Sequence, residues 1–250
     1  SIITAYIEGV REGRQFFASL KKAASVKPVI ILKGGRTAAG ARATASHTAS
    51  LAGDHLVWEG LLRQARVLQA ESIEEMEDLV TAVRLFPKPR VRPDGRGRHT
   101  MGRSVAVFGG GGGGSVAAAD ICYQVGLNMV GLPEDILEEL QRLIPATWMM
   151  ISNPIDGSAI GNPSAAARLQ EMIFRHQAYD FAMVELGVDT GLEEEGNQER
   201  FHRTTGAIIS LQEETKLPTA VIVRSADATE EWRRHAVHRE RDRLVHAGLP

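Results

Sequence analysis

Two short apolar runs that end on glycine constrain this chain more than any other feature. Pro28-Val-Ile-Ile-Leu32 gives way to Lys33-Gly-Gly-Arg36, and Ser104-Val-Ala-Val-Phe108 to an unbroken run of glycines, residues 109–114. Each run is too short for a helix and rich in β-branched residues, so each reads as a strand buried on both faces. Helical sequence follows each glycine segment. Strand, glycine and helix in that order, used twice, imply parallel sheets with helices on both faces.

The remaining segments extend the pattern. Residues 2–7 read as a strand by their β-branched content. Residues 11–25 carry Phe16, Phe17, Leu20 and Ala24 at helical spacing. A helix is expected within 49–65, a short strand at 67–68, and a helix over 71–85. Ser72-Ile-Glu-Glu75 has the form of a capping box at its start. In the second half, strands are expected at 127–132, 179–187 and 217–224, and helices at 116–125, 133–144, 162–177, 201–216 and 229–247. Glu193-Glu-Glu-Gly reads as a solvated loop. Residues 86–103 hold three prolines, three glycines and six Lys or Arg against one Asp. Such a stretch cannot build a core and reads as a linker. The chain thus divides into a first α/β unit at 1–86, a linker at 87–103 and a second unit at 104–250.

Composition narrows the functional classes. A formal net charge of −2 argues against a general nucleic-acid binder. No apolar run approaches the roughly 20 residues of a membrane span. The single cysteine, Cys122, excludes an internal disulfide and fits a reducing compartment such as the cytoplasm. It lies in helical sequence and reads as a buried thiol. No clustered Cys/His spacing of a metal site is present, and His235 and His238 read as a solvated helix face. The chain opens directly in a strand without Met, which reads as a piece of a longer polypeptide.

Three places can carry chemistry. His47 stands in a segment of small residues, flanked by Ser46 and Thr48, read as a loop that lets another group approach closely. A neutral imidazole there can act as nucleophile or base. Glu8 is a carboxylate at the C-terminal end of a strand, the edge where open α/β sheets bind ligands. The glycine run, with Gly110, Gly111, Gly112, Gly113, Gly114 and Ser115, precedes a helix. That arrangement aims free backbone N–H groups and the positive end of a dipole at an anion. A glycine run is also what a flexible loop contains, and no Gly-Lys-Ser/Thr follows it to complete a Walker pattern.

One family combines these features. Lys33-Gly-Gly-Arg, Ala39-Gly-Ala-Arg, Ala45-Ser-His-Thr and Leu51-Ala-Gly-Asp resemble the phosphohistidine segment of the NDP-forming acyl-CoA synthetases, relatives of succinyl-CoA synthetase. The resemblance implies two doubly wound, flavodoxin-like α/β domains, the first truncated at its N-terminus. It implies that His47 carries a phosphoryl group between nucleotide and acyl phosphate. Glu8, in Tyr6-Ile-Glu-Gly9, would hydrogen-bond the imidazole, and the glycine-led helix would receive the phosphate. Ile151-Ser-Asn-Pro-Ile-Asp156 resembles a segment beside the active loop, which adds Asn153 and Asp156 to Ser46 and Thr48 as substrate-loop candidates. The chain departs from the family at Gly109, where an Asn is expected.

The resemblance also implies components outside this chain. An ATP-grasp domain or subunit would bind ATP or ADP with Mg2+, and a Rossmann domain would bind coenzyme A. A small carboxylic acid would be the substrate, and an oligomer is expected. Two alternatives stay open on the sequence: a regulatory region of a protein acetyltransferase, and a non-catalytic remnant that binds acyl-CoA or a partner.

Overall fold

A computed structural model of the chain describes residues 1–48, 54–86, 91–93, 99–109, 111–186, 194–223 and 230–250; at 45, 47–48, 91–93, 99–100, 158 and 194–195 it describes the backbone alone. The chain forms two compact units, Ser1–Arg84 and Leu85–Pro250.

The first unit is built on a three-stranded parallel sheet, β1 (Ile3–Ile7), β2 (Val29–Lys33) and β3 (Leu68–Ala70), in the order β1-β2-β3. The middle strand is buried along its whole length. Its alternate residues serve opposite faces, as the two-residue repeat of a strand requires. Val29 and Ile31 pack with Leu20 of α1 (Gly13–Ala24) and with Trp58 and Leu62 of α3 (His55–Ala65). Ile30 and Leu32 pack with Met76, Leu79 and Val80 of α4 (Ile73–Leu85). Helices therefore cover both faces, as the continuous apolar run predicts.

Helix α4 starts as its sequence suggests. Glu75 N–H donates to Ser72 Oγ at 3.1 Å, and Glu75 Oε2 accepts from Glu71 N–H at 2.6 Å. Between β2 and α3 the expectation of a loop around His47 is corrected. Residues Ala38–Thr48 form helix α2. Alanine is the strongest helix former, and this segment holds five of them between Ala38 and Ala45.

The second unit carries a four-stranded parallel sheet in the order β7-β6-β8-β9, from β6 (Val105–Gly109), β7 (Ile155–Asp156), β8 (Phe181–Leu186) and β9 (Thr219–Val223). Val105 and Val107 face Cys122 of α5 (Gly112–Gln124), together with Phe181. Ala106 faces the other way, onto Ile136 and Leu140 of α6 (Glu134–Leu143) and Leu169 and Ile173 of α8 (Pro163–Arg175). Ala182, Val184 and Leu186 pack with Phe201 and Ile208 of α9 (Glu194–Thr215) and Val237 and Leu244 of α10 (Glu231–His246). The short helix α7 (Gly157–Ile160) links β7 to α8.

Three expectations are corrected here. Residues 127–132 form no strand; their backbone joins the sheet through a parallel bridge between Ser104 and Asn128. Of the acidic segment, residue 193 lies outside the described residues, and the backbone from 194 is the start of α9 rather than a loop. Part of 87–103 is a short antiparallel pair, β4 (Val91–Pro93) with β5 (His99–Met101).

The order in which strands are added switches sides at β6. From it the chain passes to β7 on one side, then crosses to β8 on the other. The crevice at the C-terminal ends of such strands is where open α/β sheets bind ligands. In this unit that crevice lies beside the start of α5.

Candidate functional site

In the first unit the site is assembled at the C-terminal ends of β1 and β2. Ile7 pairs with Lys33, and Gly34 N–H donates to Ile7 O at 2.9 Å, so Glu8 leaves the sheet beside Gly34. Lys33 is only 3% exposed, an unusual state for a lysine. Its Nζ donates to Glu8 O at 2.7 Å and to Gly34 O, and lies 5.2 Å from the centre of the Trp58 ring. Burial pulls the Lys33 ammonium below the usual lysine range, against the charge of Glu8, which favours it. Tyr6 Oη donates to Glu8 Oε1 at 3.4 Å.

Each residue of Lys33-Gly-Gly-Arg-Thr then has a mechanical reason. A Cβ on Gly34 would overlap the Tyr6 hydroxyl and stand 3.3 Å from Glu8 Cγ. Gly35 has φ +72°, which an L side chain resists. Arg36 pairs with the Glu71 carboxylate and donates to Glu71 O at 2.6 Å, tying this segment to the loop before α4. Thr37 Oγ1 accepts from Gly40 N–H at 3.1 Å and caps α2.

Downstream, Asp54 closes the motif. Its carboxylate accepts from Leu56 N–H at 2.8 Å and caps α3, the helix that carries Trp58 to Lys33. His47 lies in the last turn of α2, and its side chain is outside the described residues. Ser46 is exposed, and its Oγ donates to Ala43 O at 2.8 Å. The side chain of Thr48 is also outside the described residues.

In the second unit the glycine run leads straight into α5. Gly110 lies outside the described residues. Gly111 has φ +96° and ψ 171°, a combination confined to glycine, and precedes Gly112, Gly113 and Gly114 in the first helical turn. Among the described residues no side chain caps this helix. The N–H groups of 112–114 belong to the turn that has no intrahelical acceptor. Ser115 N–H donates to Gly111 O at 2.9 Å. Its Oγ is buried and has no hydrogen-bond partner among the described residues. A Cβ at Gly109 would stand 2.9 Å from that hydroxyl, so Ser115 fills the space a side chain at 109 would need.

Asp156 pairs in register with Gly109 at the end of the sheet. Asn153 uses its amide on the main chain: Oδ1 accepts from Val107 N–H at 2.9 Å, and Nδ2 donates to Val105 O at 2.7 Å and Val130 O at 2.9 Å. Its part is to fix the edge of β6. Beside this edge opens a cleft of about 980 Å³. Phe108, Ile155, Ile160 and Leu186 give it apolar walls, and Glu185, Arg203 and Thr204 give it polar groups.

Sequence reasoning missed Lys33, Trp58 and the cleft. A lysine ending a fully apolar strand was a signal for the first; nothing local announced the others. Among the described residues there is no group of His, Cys, Asp and Glu that could hold a metal ion, and no helix long and apolar enough to cross a membrane.

Comparison with known proteins agrees with this architecture. Residues 1–83 match the model of the succinyl-CoA ligase like flavodoxin domain. The chain is 38% identical over 154 residues to the acetate–CoA ligase [ADP-forming] II subunit alpha of Pyrococcus furiosus, a match covering 62% of this chain and 31% of that protein. It is 32% identical over 164 residues to acetate–CoA ligase [ADP-forming] I of Archaeoglobus fulgidus, covering 66% and 22%.

The chain is similar to a part of the NDP-forming acyl-CoA synthetases. Its fold matches the acetyl-coenzyme A synthetase 1 of Ca. Korarchaeum cryptofilum, solved with phosphate and ADP, at a TM-score of 0.70 and 24% identity. That match covers all of this chain and 49% of the synthetase. The chain thus spans about half of the solved synthetase and less than a third of the two curated ones.

Proposed function

We propose that this chain contributes the phosphohistidine-bearing part of an acyl-CoA synthetase that converts a carboxylic acid, coenzyme A and a nucleoside triphosphate to acyl-CoA, the diphosphate and phosphate. The observation that carries this reading is the end of the first sheet. Glu8 and the segment leading to His47 leave the same edge of two paired strands, held by contacts that the family motif supplies.

In this reading an imidazole nitrogen of His47 attacks the terminal phosphorus of the triphosphate. The bond from phosphorus to the diphosphate oxygen breaks, and the diphosphate leaves. The Glu8 carboxylate accepts the hydrogen bond of the other ring nitrogen, fixing the tautomer and steadying the positive charge that develops. The phosphoryl group then passes to the carboxylate of the acid, and the thiolate of coenzyme A displaces phosphate from the acyl phosphate.

A phosphate dianion cannot be buried without donors. The uncapped first turn of α5 and the unpartnered Ser115 hydroxyl fit such an anion, and the neighbouring cleft fits the body of an organic acid. Asp156, in register with Gly109, and Ser46, next to His47 in the sequence, are the substrate-loop candidates in this reading. ATP or ADP with Mg2+ and coenzyme A would be held mainly by an ATP-grasp domain or subunit and a Rossmann domain beyond these residues. A relative described as a subunit alpha and another solved with ADP and phosphate support that division. An oligomeric, cytoplasmic enzyme fits the same reading.

Labelling the full-length protein with [γ-32P]ATP tests it. Acid-labile, base-stable label is expected on the native protein and not on His47→Ala. Equal label on both overturns the assignment.

A further inference from the structure

We infer that Lys33 is a positioning residue of the phosphoryl-transfer site, acting through its grip on the main chain of Glu8; the inference rests on the role proposed for Glu8. A buried ammonium demands acceptors on every side it is closed from water. Lys33 finds them in two carbonyls, Glu8 O and Gly34 O, with the face of Trp58 completing the cage. The two carbonyls belong to the two strand ends that frame the site. One cation therefore bridges the turn that carries Glu8 and the segment that leads to His47.

The surroundings show why the grip matters. Tyr6 approaches the Glu8 carboxylate at 3.4 Å, a long hydrogen bond made by a side chain 59% exposed. That contact alone holds the carboxylate weakly. Pinning the Glu8 carbonyl fixes the backbone from which the carboxylate projects. Lys33 is itself held rigidly. Its strand is buried along its whole length, and Trp58 sits in α3, the helix capped by Asp54 and packed through Phe16 at a ring separation of 5.6 Å.

The test is a double-mutant cycle on the full-length protein, reading the rate of His47 labelling from ATP in native, Lys33→Met, Glu8→Gln and doubly substituted forms, each confirmed folded by its melting curve. Lys33→Met is expected to slow labelling about 10-fold or more, since small misplacements of a reacting group cost rate steeply. The KM for ATP should not move. In the Glu8→Gln background the same change should alter the rate by less than about 2-fold, because coupled groups are not additive. Should Lys33→Met not fold, Lys33→Gln, which keeps one donor, takes its place and should give an intermediate loss.

Equal slowing in both backgrounds, or none in either, overturns the inference. Native labelling by Glu8→Gln overturns both this inference and the role of Glu8, while leaving His47 to be judged by its own alanine variant.

Discussion

The two units use the same device at the end of a central strand and finish it in opposite ways. In the first, the edge after β2 is filled by side chains: Lys33, Tyr6 and Trp58 close around the turn that bears Glu8. In the second, the edge after β6 is stripped to glycine backbone, with a bare helix start and an open cleft beside it. A packed edge holds a functional group at a fixed place. A bare edge offers backbone N–H groups to whatever arrives.

The largest expected effect tests how tightly the second unit is closed away from its bare edge. A Cβ on Gly102 would overlap the carboxylate of Asp180, which is 1% exposed and accepts from Ser104 N–H at 2.8 Å. Gly102→Ala should destabilise the second unit by about 3 kcal/mol, as overpacking beside a buried charge does. Denaturant unfolding would show it, and an unchanged midpoint would mean that the Asp180 contact yields freely.

The bare edge should be more tolerant of volume and less of backbone. No atom lies within 4 Å of a Cβ built on Gly111, but its φ of +96° remains. Gly111→Ala should cost about 2 kcal/mol through conformation alone. It should also weaken inorganic phosphate binding measured by calorimetry. Gly112→Ala, at a helical position with open space around it, should leave stability nearly unchanged.

Two buried charges of opposite sign make both units gain stability as pH rises, each in its own window. Lys33 has its proton affinity lowered by burial from the ordinary 10.5. The unfolded chain then binds more protons just below that value, so the first unit gains stability as pH rises through this window. Lys33→Met should abolish the gain. Glu240 is fully buried between α9 and α10. Burial alone would raise its carboxyl, but hydrogen bonds from His202, Arg243 and Arg239 hold it below the ordinary 4.5. Its contribution is present above 4.5 and lost as pH falls through the lower, folded value. Glu240→Gln should flatten that acid limb. Unfolding curves taken across pH, read separately for each unit, decide both, and a stability that falls as pH rises in either window would contradict them.

The smallest effect sharpens the link between motif and scaffold. Asp54→Ala removes the cap of α3 and should cost about 1 kcal/mol. It should also slow His47 labelling slightly, by loosening Trp58 over Lys33. A loss of stability with no change in rate would separate the cap from the site.

How much was legible in the sequence follows from what local pattern can encode. The central strands were legible because burial on both faces demands an unbroken apolar run, as in Val29 to Leu32 and Val105 to Val107. The anion-binding look of the glycine run was legible because only glycine takes the backbone of Gly111 and leaves the helix start bare. Helix α2 was not, because Ala, Gly, Ser and Thr give no apolar face whose period can be read. The segment 127–132 looked like a strand by content, but the sheet takes up only a bridge at Asn128.

By itself the sequence determined which runs must be buried and where the backbone needs glycine. Tertiary structure alone decided that Lys33 turns inward, that Asn153 serves the main chain, and that a cleft opens beside β6. The physical reason is range. Apolar periodicity and backbone strain act between neighbours in the chain. The partners of a buried charge come from wherever the fold brings an acceptor, and for Lys33 they lie at position 8, at position 34 and on the ring of Trp58.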